Sequence, residues 1–271
     1  MASASLLLGK EELARCEKII TGSIKKAVED SKSKGVVLGL SGGIDSALVL
    51  SLACRAEVDV HAMILPEESV SFECDVSDSK ALAESLGVGY SVVRINRVLE
   101  AIEKDFPWND FSNERKRVSL GNAKARLRMV YNYLAANLDQ RLVLGTGNKT
   151  EILLGYATKY GDGGVDMLPI GDLYKTQVRQ LAAYIRVPED IIKKVPTAGL
   201  WKGQTDEGEI GVSYDVMDEV LFQLVDMGLT VQEAVKKTDK DPSIVKMLYD
   251  RMQANSHKRS TPPITWLFDQ R

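Results

Sequence analysis

Between Lys10 and Lys32 the apolar residues Leu13, Ile20, Ile24, Ala27 and Val28 recur mostly at helical spacing, which predicts an amphipathic helix. The period then changes. Gly35–Leu40 (GVVLGL) is a short apolar run that ends in the glycines of SGGIDS, and Ile44–Ala56 resumes a helix rich in Ala and Leu. Strand, glycine turn and helix then repeat. Val58–Leu65 (VDVHAMIL) reads as a strand, Asp75–Leu86 as a helix, Gly89–Ile95 (GYSVVRI) as a strand and Val98–Lys104 as a short helix. Alternation of this kind implies a parallel, doubly wound sheet flanked by helices.

Beyond a loop holding Phe106, Pro107 and Trp108, the spacing predicts a long helix over Asn122–Leu138, with Leu127, Val130, Tyr131, Leu134 and Leu138 on its apolar stripe. Arg141–Gly145 (RLVLG) is the next strand, and GTGNKTE leads from it into a helix ending near Gly155. Lys159–Gly171 is glycine-rich and contains Pro169, so it reads as an ordered loop with one short strand, the fifth of the sheet. Helices follow at Tyr174–Ile185 and Glu189–Val195. Pro196–Gly211 (PTAGLWKGQTDEGEIG) has no period and is long enough to be a lid. Ser213–Ala254 reads as helical, with breaks near Gly228 and Pro242. The expectation is a single α/β domain over residues 1–271: a mostly parallel five-stranded sheet flanked by helices, with a helical C-terminal part.

Apolar residues at 44% and charged residues at 27%, without low-complexity tracts, are the composition of a folded globular chain. A net charge of only −3 argues against a duplex-binding surface, which needs broad phosphate neutralisation, yet leaves room for a local basic pocket. No nucleic-acid partner is expected. Cys16, Cys54 and Cys74 form no CxxC pair, which removes zinc ribbons and thiol redox motifs and fits a reducing cytoplasm. The apolar run Leu6–Leu8 is too short for a secretory signal or a membrane span, so no membrane role is expected and the cytoplasm is the expected location.

SGGIDS at Ser41–Ser46 carries the chemistry. Gly42 and Gly43 lack side chains and let backbone N–H groups approach an anion, and the helix start adds partial positive charge at the same point. It is neither a Walker A loop nor a dinucleotide fingerprint, since GxxxxGK[ST] and GxGxxG are both absent. Asp45 beside such a cradle is repulsive to phosphate unless a cation intervenes, which points to Mg²⁺. An acid that merely favours a helix start is the other reading of Asp45. Glu151, in the first turns after Asn148, has the same two readings. Arg126 and Arg128 lie on either side of the Leu127 stripe, and periodicity does not choose between them. Lys159 and Lys175 bracket the glycine loop, and His257, Lys258 and Arg259 form a short basic run. Met63, Trp108, Trp201 and Trp266 read as packing residues, with the Met63 backbone near enough to the phosphate loop to meet adenine.

The loop resembles the SGGxDS signature of the N-type ATP pyrophosphatases, which implies cleavage of ATP between its α and β phosphates. GTGNKTE, TKYGDGG, DMLPIGDLYKTQVRQLA, PTAGLW with GQTDEGEIG, and the HKR tail are similar, in order, to the ammonia-dependent NAD⁺ synthetase family, and the matches run from about Gly39 to Arg259. The resemblance implies the adenine nucleotide alpha hydrolase-like fold and a carbon–nitrogen ligase that adenylates the nicotinate carboxylate of deamido-NAD⁺ and amidates it with ammonia. It implies that Gly39, Leu40, Ser41, Gly42, Gly43, Ile44, Asp45, Ser46, Thr146, Lys175 and Thr197 serve ATP, and that Asp45 and Glu151 hold Mg²⁺. It further implies that Arg126, Lys159, Asp166, His257 and Lys258 serve deamido-NAD⁺, that Asp162 helps deprotonate ammonium, and that the protein is a homodimer. Asp45, Asp162 and Lys175 are the expected catalytic set. No glutamine amidase domain fits outside the matched region, so free ammonia is the expected nitrogen source. The rivals are another ligase of the class, such as a GMP synthetase or tRNA thiolase, and a noncatalytic adenine-nucleotide sensor.

Overall fold

Four parallel strands, β1 (Val36–Gly39), β2 (Val60–Ile64), β3 (Gly89–Val92) and β4 (Leu142–Leu144), form one sheet in the order β3–β2–β1–β4. This is a computed structural model, and it describes residues 6–68, 73–108, 111–265 and 267. β1 is central because it is the most apolar run: Val36, Val37 and Leu38 are fully buried, with Val36 in register with both Val60 and Leu142. The chain moves outward from β1 to β2 and β3, then returns to the other side of β1 as β4. That reversal opens a crevice at the carboxyl ends of β1 and β4, where open α/β sheets hold ligands. The two motif loops, SGGIDS and GTGNKTE, leave the sheet at that crevice.

Both faces of the sheet are covered. On one face α1 (Lys10–Ser31), α2 (Ile44–Arg55) and α7 (Lys175–Tyr184) pack together, and Ile24, Leu48, Leu52, Val178 and Leu181 join Leu38 and Ala62 in the main core. α8 (Glu189–Ile192) adds Ile191; only four residues long, it ends short of the expected Val195. On the other face α4 (Asn96–Asp105) and α5 (Asn113–Asp139) cover Val37, Met63, Leu65 and Val143, with Ala136 at the contact. α3 (Glu73–Ser85) lies against β2 and β3.

The expected fifth strand is absent among the described residues. What forms in Lys159–Gly171 is a single parallel bridge, Leu144 to Met167, with Gly145 N–H donating to the Met167 carbonyl at 2.8 Å. Gly163 and Gly164 precede it and Pro169, which has no N–H, follows, so the ladder cannot lengthen.

α5 departs further from its pattern. It begins nine residues before the expected start, capped by Ser112, whose hydroxyl accepts from Arg115 N–H. The buried positions are Gly121, Lys124, Ala125 and Ala136, whereas Val130, Leu134 and Leu138 of the expected apolar stripe are 45%, 53% and 84% exposed.

The C-terminal part is α10 (Tyr214–Leu221), closed by a π-turn over Phe222–Asp226, then α11 (Val231–Thr238) and α12 (Pro242–Ala254). Gly228 takes the left-handed φ of +64° that the break needs. Pro242 begins α12 rather than interrupting it, because the first-turn N–H it lacks would be unpaired anyway. Tyr214, Met217, Leu221, Val245 and Leu248 make a second core with Leu154 of α6 (Lys149–Leu154) and Tyr174. Among the described residues no helix is long and apolar enough to cross a membrane.

Gly155, which ends α6 at φ +63°, sits so close to the C-terminal segment that an added Cβ would stand 2.3 Å from the Asn255 Cβ. Gly155→Ala is expected to lower stability by about 1–3 kcal/mol through the φ strain alone, with the clash adding to it. A thermal melt within a degree of the unchanged protein would count against this account.

Candidate active site

The glycine turn is shaped by what stands behind it. Gly42 has φ +82°, and a Cβ there would fall 2.6 Å from the Asp75 carbonyl oxygen, so only glycine fits. Gly43 is the N-cap of α2 and supplies no side-chain acceptor, which leaves the first-turn N–H groups open to an outside anion. Ser46 braces the turn from within: its Oγ accepts from Ser41 N–H at 3.2 Å and donates to the Gly43 carbonyl at 3.0 Å. Lys194 braces it from outside, donating to the Gly42 carbonyl at 3.1 Å and pairing with Asp75 and Asp78 at 2.7 and 2.6 Å.

Across the crevice, Asn148 and Glu151 form a reciprocal capping box at the start of α6, each side chain bonded to the other's backbone N–H at 3.1 Å. Asn148 also donates through Nδ2 to Asp45 at 3.0 Å, which joins the two motif loops. Lys175, the first residue of α7, projects between them: its ammonium is hydrogen-bonded to Asp45 and lies 3.7 Å from Glu151. Lys175 is 2% exposed. Burial alone would depress its pKa, but the charges of Asp45 and Glu151 outweigh burial and the net shift is upward. Burial and the neighbouring Asp45 charge push the Glu151 carboxyl up to about 8, against the pull of Lys175.

Tyr214 and Asp206 close the back of this centre. The Tyr214 hydroxyl donates to Asp206 at 2.8 Å and lies 3.3 Å from Glu151. Asp206 is buried, which raises its pKa, and its Oδ1 has no hydrogen-bond partner.

A cavity of about 880 Å³ opens from this centre and is lined by Gly39–Ser46, Thr146, Glu151, Asp162, Lys175, Thr197 and Lys258, among others. Met63, Leu65 and Arg128 also line it. Lys258 donates to the Gly155 and Ala157 carbonyls at 2.7 and 2.9 Å. Asp162, on a turn that opens to the cavity, accepts from Thr158 N–H at 2.7 Å; burial raises its pKa against that bond and the nearby Lys258 and Arg128 charges.

The other expected residues lie apart from the lining. Arg126 is exposed and donates to the Lys159 carbonyl, and Lys159 donates to the His257 carbonyl at 2.9 Å, so these three form one basic corner beside the cavity. The Asp166 carboxylate accepts from the Tyr133 hydroxyl at 3.0 Å and from Val143 N–H at 2.8 Å. Of the two arginines that periodicity left undecided, Arg128 points into the cavity and Arg126 into solvent.

A family model described as NAD synthase matches residues 17–262 of this chain. The chain belongs to the NAD synthase family. It is 46% identical to an NH(3)-dependent NAD(+) synthetase of Archaeoglobus fulgidus over 91% of this chain and 94% of that protein. Among solved structures it resembles an NH3-dependent NAD synthetase of Campylobacter jejuni, with a TM-score of 0.78, 37% identity and coverage of 94% and 99% of the two chains. It also resembles an NMN synthetase of Francisella tularensis, with a TM-score of 0.82, 34% identity and coverage of 97% and 100%.

Several residues of this NAD synthase family member escaped the sequence reading. Lys194 and Tyr214 lie outside the quoted motifs, and Asp206 lies within GQTDEGEIG without showing its partner there: Lys194 reaches Asp75 and Asp78 across the chain, and Tyr214 meets both Asp206 and Glu151. Asn148 was legible only as the residue before a helix, although a capping-box pattern, Asn followed three residues later by Glu, was there to be read. Trp201 lies at the cavity with Arg117 5.1 Å above its ring, and Trp108 packs on Phe106; Trp266 lies outside the described residues.

Asp45 and Glu151 offer hard carboxylate oxygens on either side of a buried cation. Among the described residues no group of three His, Cys, Asp or Glu side chains is arranged to hold a metal ion. Mg²⁺ needs no such cage, since it takes one or two carboxylates and completes its shell with phosphate and water, so the donor set fits it. Replacing Lys175 by Met would leave two carboxylates facing each other without a cation. Lys175→Met is expected to cost about 3–5 kcal/mol of stability, and added Mg²⁺ should raise its melting temperature more than it raises that of the unchanged protein. Equal shifts in both proteins would show that the metal does not take up this charge.

Proposed function

We propose that this chain is an ammonia-dependent ligase that converts deamido-NAD⁺ to NAD⁺, cleaving ATP to AMP and pyrophosphate. The carrying observation is the meeting of an open phosphate loop, two carboxylates and a buried lysine at the mouth of a cavity of about 880 Å³, in a chain 46% identical to an enzyme of that name.

The chemistry follows from the carboxylate. A carboxylate does not react with ammonia at neutral pH, because its carbonyl is deactivated and it has no good leaving group. In the first step a nicotinate oxygen bonds to the α-phosphorus of ATP and the bond from that phosphorus to the bridging oxygen breaks, releasing pyrophosphate. The N–H groups of Gly42 and of the first turn of α2 and the Lys175 ammonium receive the charge that develops on the departing oxygens. Mg²⁺, held on this reading by Asp45 and Glu151, would neutralise the phosphates. In the second step ammonia bonds to the carbonyl carbon and AMP leaves. Asp162, whose carboxyl is disposed to take up a proton, accepts one from ammonium beforehand. Thr146 and Thr197 complete the ATP side, with Met63 beside the adenine.

Arg126, Lys159, His257 and Lys258 form the dinucleotide side, and Asp166 joins them with acceptor capacity beyond its two framework bonds. Much of that side is open in a single copy. The exposed stripe of Val130, Leu134 and Leu138 runs along α5 beside Arg126, and an apolar stripe of this length calls for a partner. We therefore assign a homodimer in which a second copy covers α5 and closes the dinucleotide site. The double variant Leu134→Glu with Leu138→Glu should sediment as a monomer, keep ATP binding and require far more deamido-NAD⁺. A dimer of unchanged mass would refute that interface.

Residues 1–271 are taken as one catalytic unit, since α10 packs on both α6 and α7 and places Tyr214 in the charged centre. Three free cysteines suit a reducing cytoplasm.

The deciding experiment incubates the protein with ATP, Mg²⁺, ammonium and deamido-NAD⁺. NAD⁺ and AMP should appear in equal amounts, and orthophosphate in place of pyrophosphate would overturn the reading. Because one structural relative is an NMN synthetase, nicotinate mononucleotide belongs in a parallel arm; the higher identity to NAD⁺ synthetases favours the dinucleotide. Absence of any turnover with intact ATP binding would point to a nucleotide sensor. Asp45→Asn should lower adenylation at least about 100-fold, the scale seen when one charge-stabilising group is removed. Near-normal turnover would sink the assignment of Asp45 to the metal.

A further inference from the structure

The Pro196–Gly211 segment, expected as a loop throughout, ends in the short helix α9 (Asp206–Ile210) capped by Thr205; it arches over the cavity and meets α5 at three positions on one helix face, 117, 121 and 124. Arg117 lies 5.1 Å over the Trp201 ring. At Gly121 the helix is bare, and a Cβ there would stand 3.2 Å from the Leu200 Cβ. Lys124 donates to the Leu200 carbonyl at 2.9 Å and pairs with Glu67 at 2.7 Å. The Lys124 and Glu67 side chains are 10% and 4% exposed.

A buried ion pair is a weak source of stability, because desolvation cancels most of its attraction. What this pair does hold is the loop backbone. The loop is stapled internally, with Gln204 Oε1 accepting from Leu200 N–H at 2.8 Å and Thr197 donating to the Gln204 carbonyl at 2.8 Å, so Leu200 moves with its neighbours. The far end of the loop is anchored by Asp206 on Tyr214. Lys124 therefore governs the end that faces α5.

We propose that Lys124, oriented by Glu67, is a positioning residue that latches the Pro196–Gly211 loop shut through the Leu200 carbonyl, so that the acyl-adenylate meets ammonia rather than water. The inference rests on the amidation reading of the site. When the latch is absent, water attacks the activated carbonyl, AMP leaves and deamido-NAD⁺ is regenerated, so ATP is consumed without product.

The readout is the ratio of AMP formed to NAD⁺ formed at limiting ammonium, measured beside deamido-NAD⁺-dependent exchange of pyrophosphate into ATP. The double variant Lys124→Met with Glu67→Gln removes both members of the pair, so neither is left charged without the other, and Arg128 keeps Asp162 as its neighbouring charge. It should retain exchange and raise the ratio at least about tenfold, the effect of losing one charge-assisted hydrogen bond. Lys124→Arg, which keeps a donor, should hold the ratio within a factor of about three of the unchanged protein. Trp201→Ala, which weakens the α5 contact and leaves the buried pair alone, should raise the ratio by a smaller factor. Exchange and amidation falling together at an unchanged ratio would overturn the latch and leave Lys124 a framework residue, as would an unchanged ratio in Trp201→Ala if the double variant fails to fold. A wild-type protein that makes no AMP from deamido-NAD⁺ would instead remove the amidation reading itself.

Discussion

A lysine ammonium buried between two carboxylates is the interaction on which the rest of this site depends. Lys175 comes from the start of α7, Asp45 from the turn after β1 and Glu151 from the helix after β4. Burial alone would depress the pKa of the lysine, and the charges of Asp45 and Glu151 outweigh it, while burial and the Asp45 charge push the Glu151 carboxyl up against the pull of Lys175. Asn148, Tyr214 and Asp206 tie that small charged region together.

The order of elements was readable because the period of apolar residues switches between strand and helix at each glycine turn. The phosphate loop was readable for a related reason, since glycines between a strand and a helix have few other uses. Two things were hidden. The expected fifth strand shrank to one bridge because Gly163, Gly164 and Pro169 cannot sustain a ladder, a local conflict that the short apolar segment DMLPI conceals. The α5 stripe was legible as a stripe but its exposure was not: periodicity reports that a face is apolar, and says nothing of whether the same chain covers it.

The candidate site was legible in the same uneven way. Asp45 and Glu151 sit at helix starts, where an acid has an ordinary explanation, and only the fold shows that they converge on Lys175. Arg126 and Arg128 were equivalent on a helical wheel; tertiary contact sends Arg128 to the cavity and Arg126 to the basic corner with Lys159 and His257. Lys194 was invisible because Asp75 and Asp78 lie across the fold, and Asp206, although within GQTDEGEIG, because the motif does not show that it meets Tyr214 at the charged centre.

The bonds from Asp45 to Asn148 and to Lys175 span 103 and 130 residues of chain. Loops of that length close late in folding, since their entropy is lost before the contacts that reward them exist. A nascent chain carrying β1, β2 and β3 has its glycine turn but no facing wall, and the open edge of β1 waits for β4 to emerge. Nucleotide affinity is thus a property of the finished sheet, and ATP in the cell selects, by mass action, those molecules whose last strand has docked.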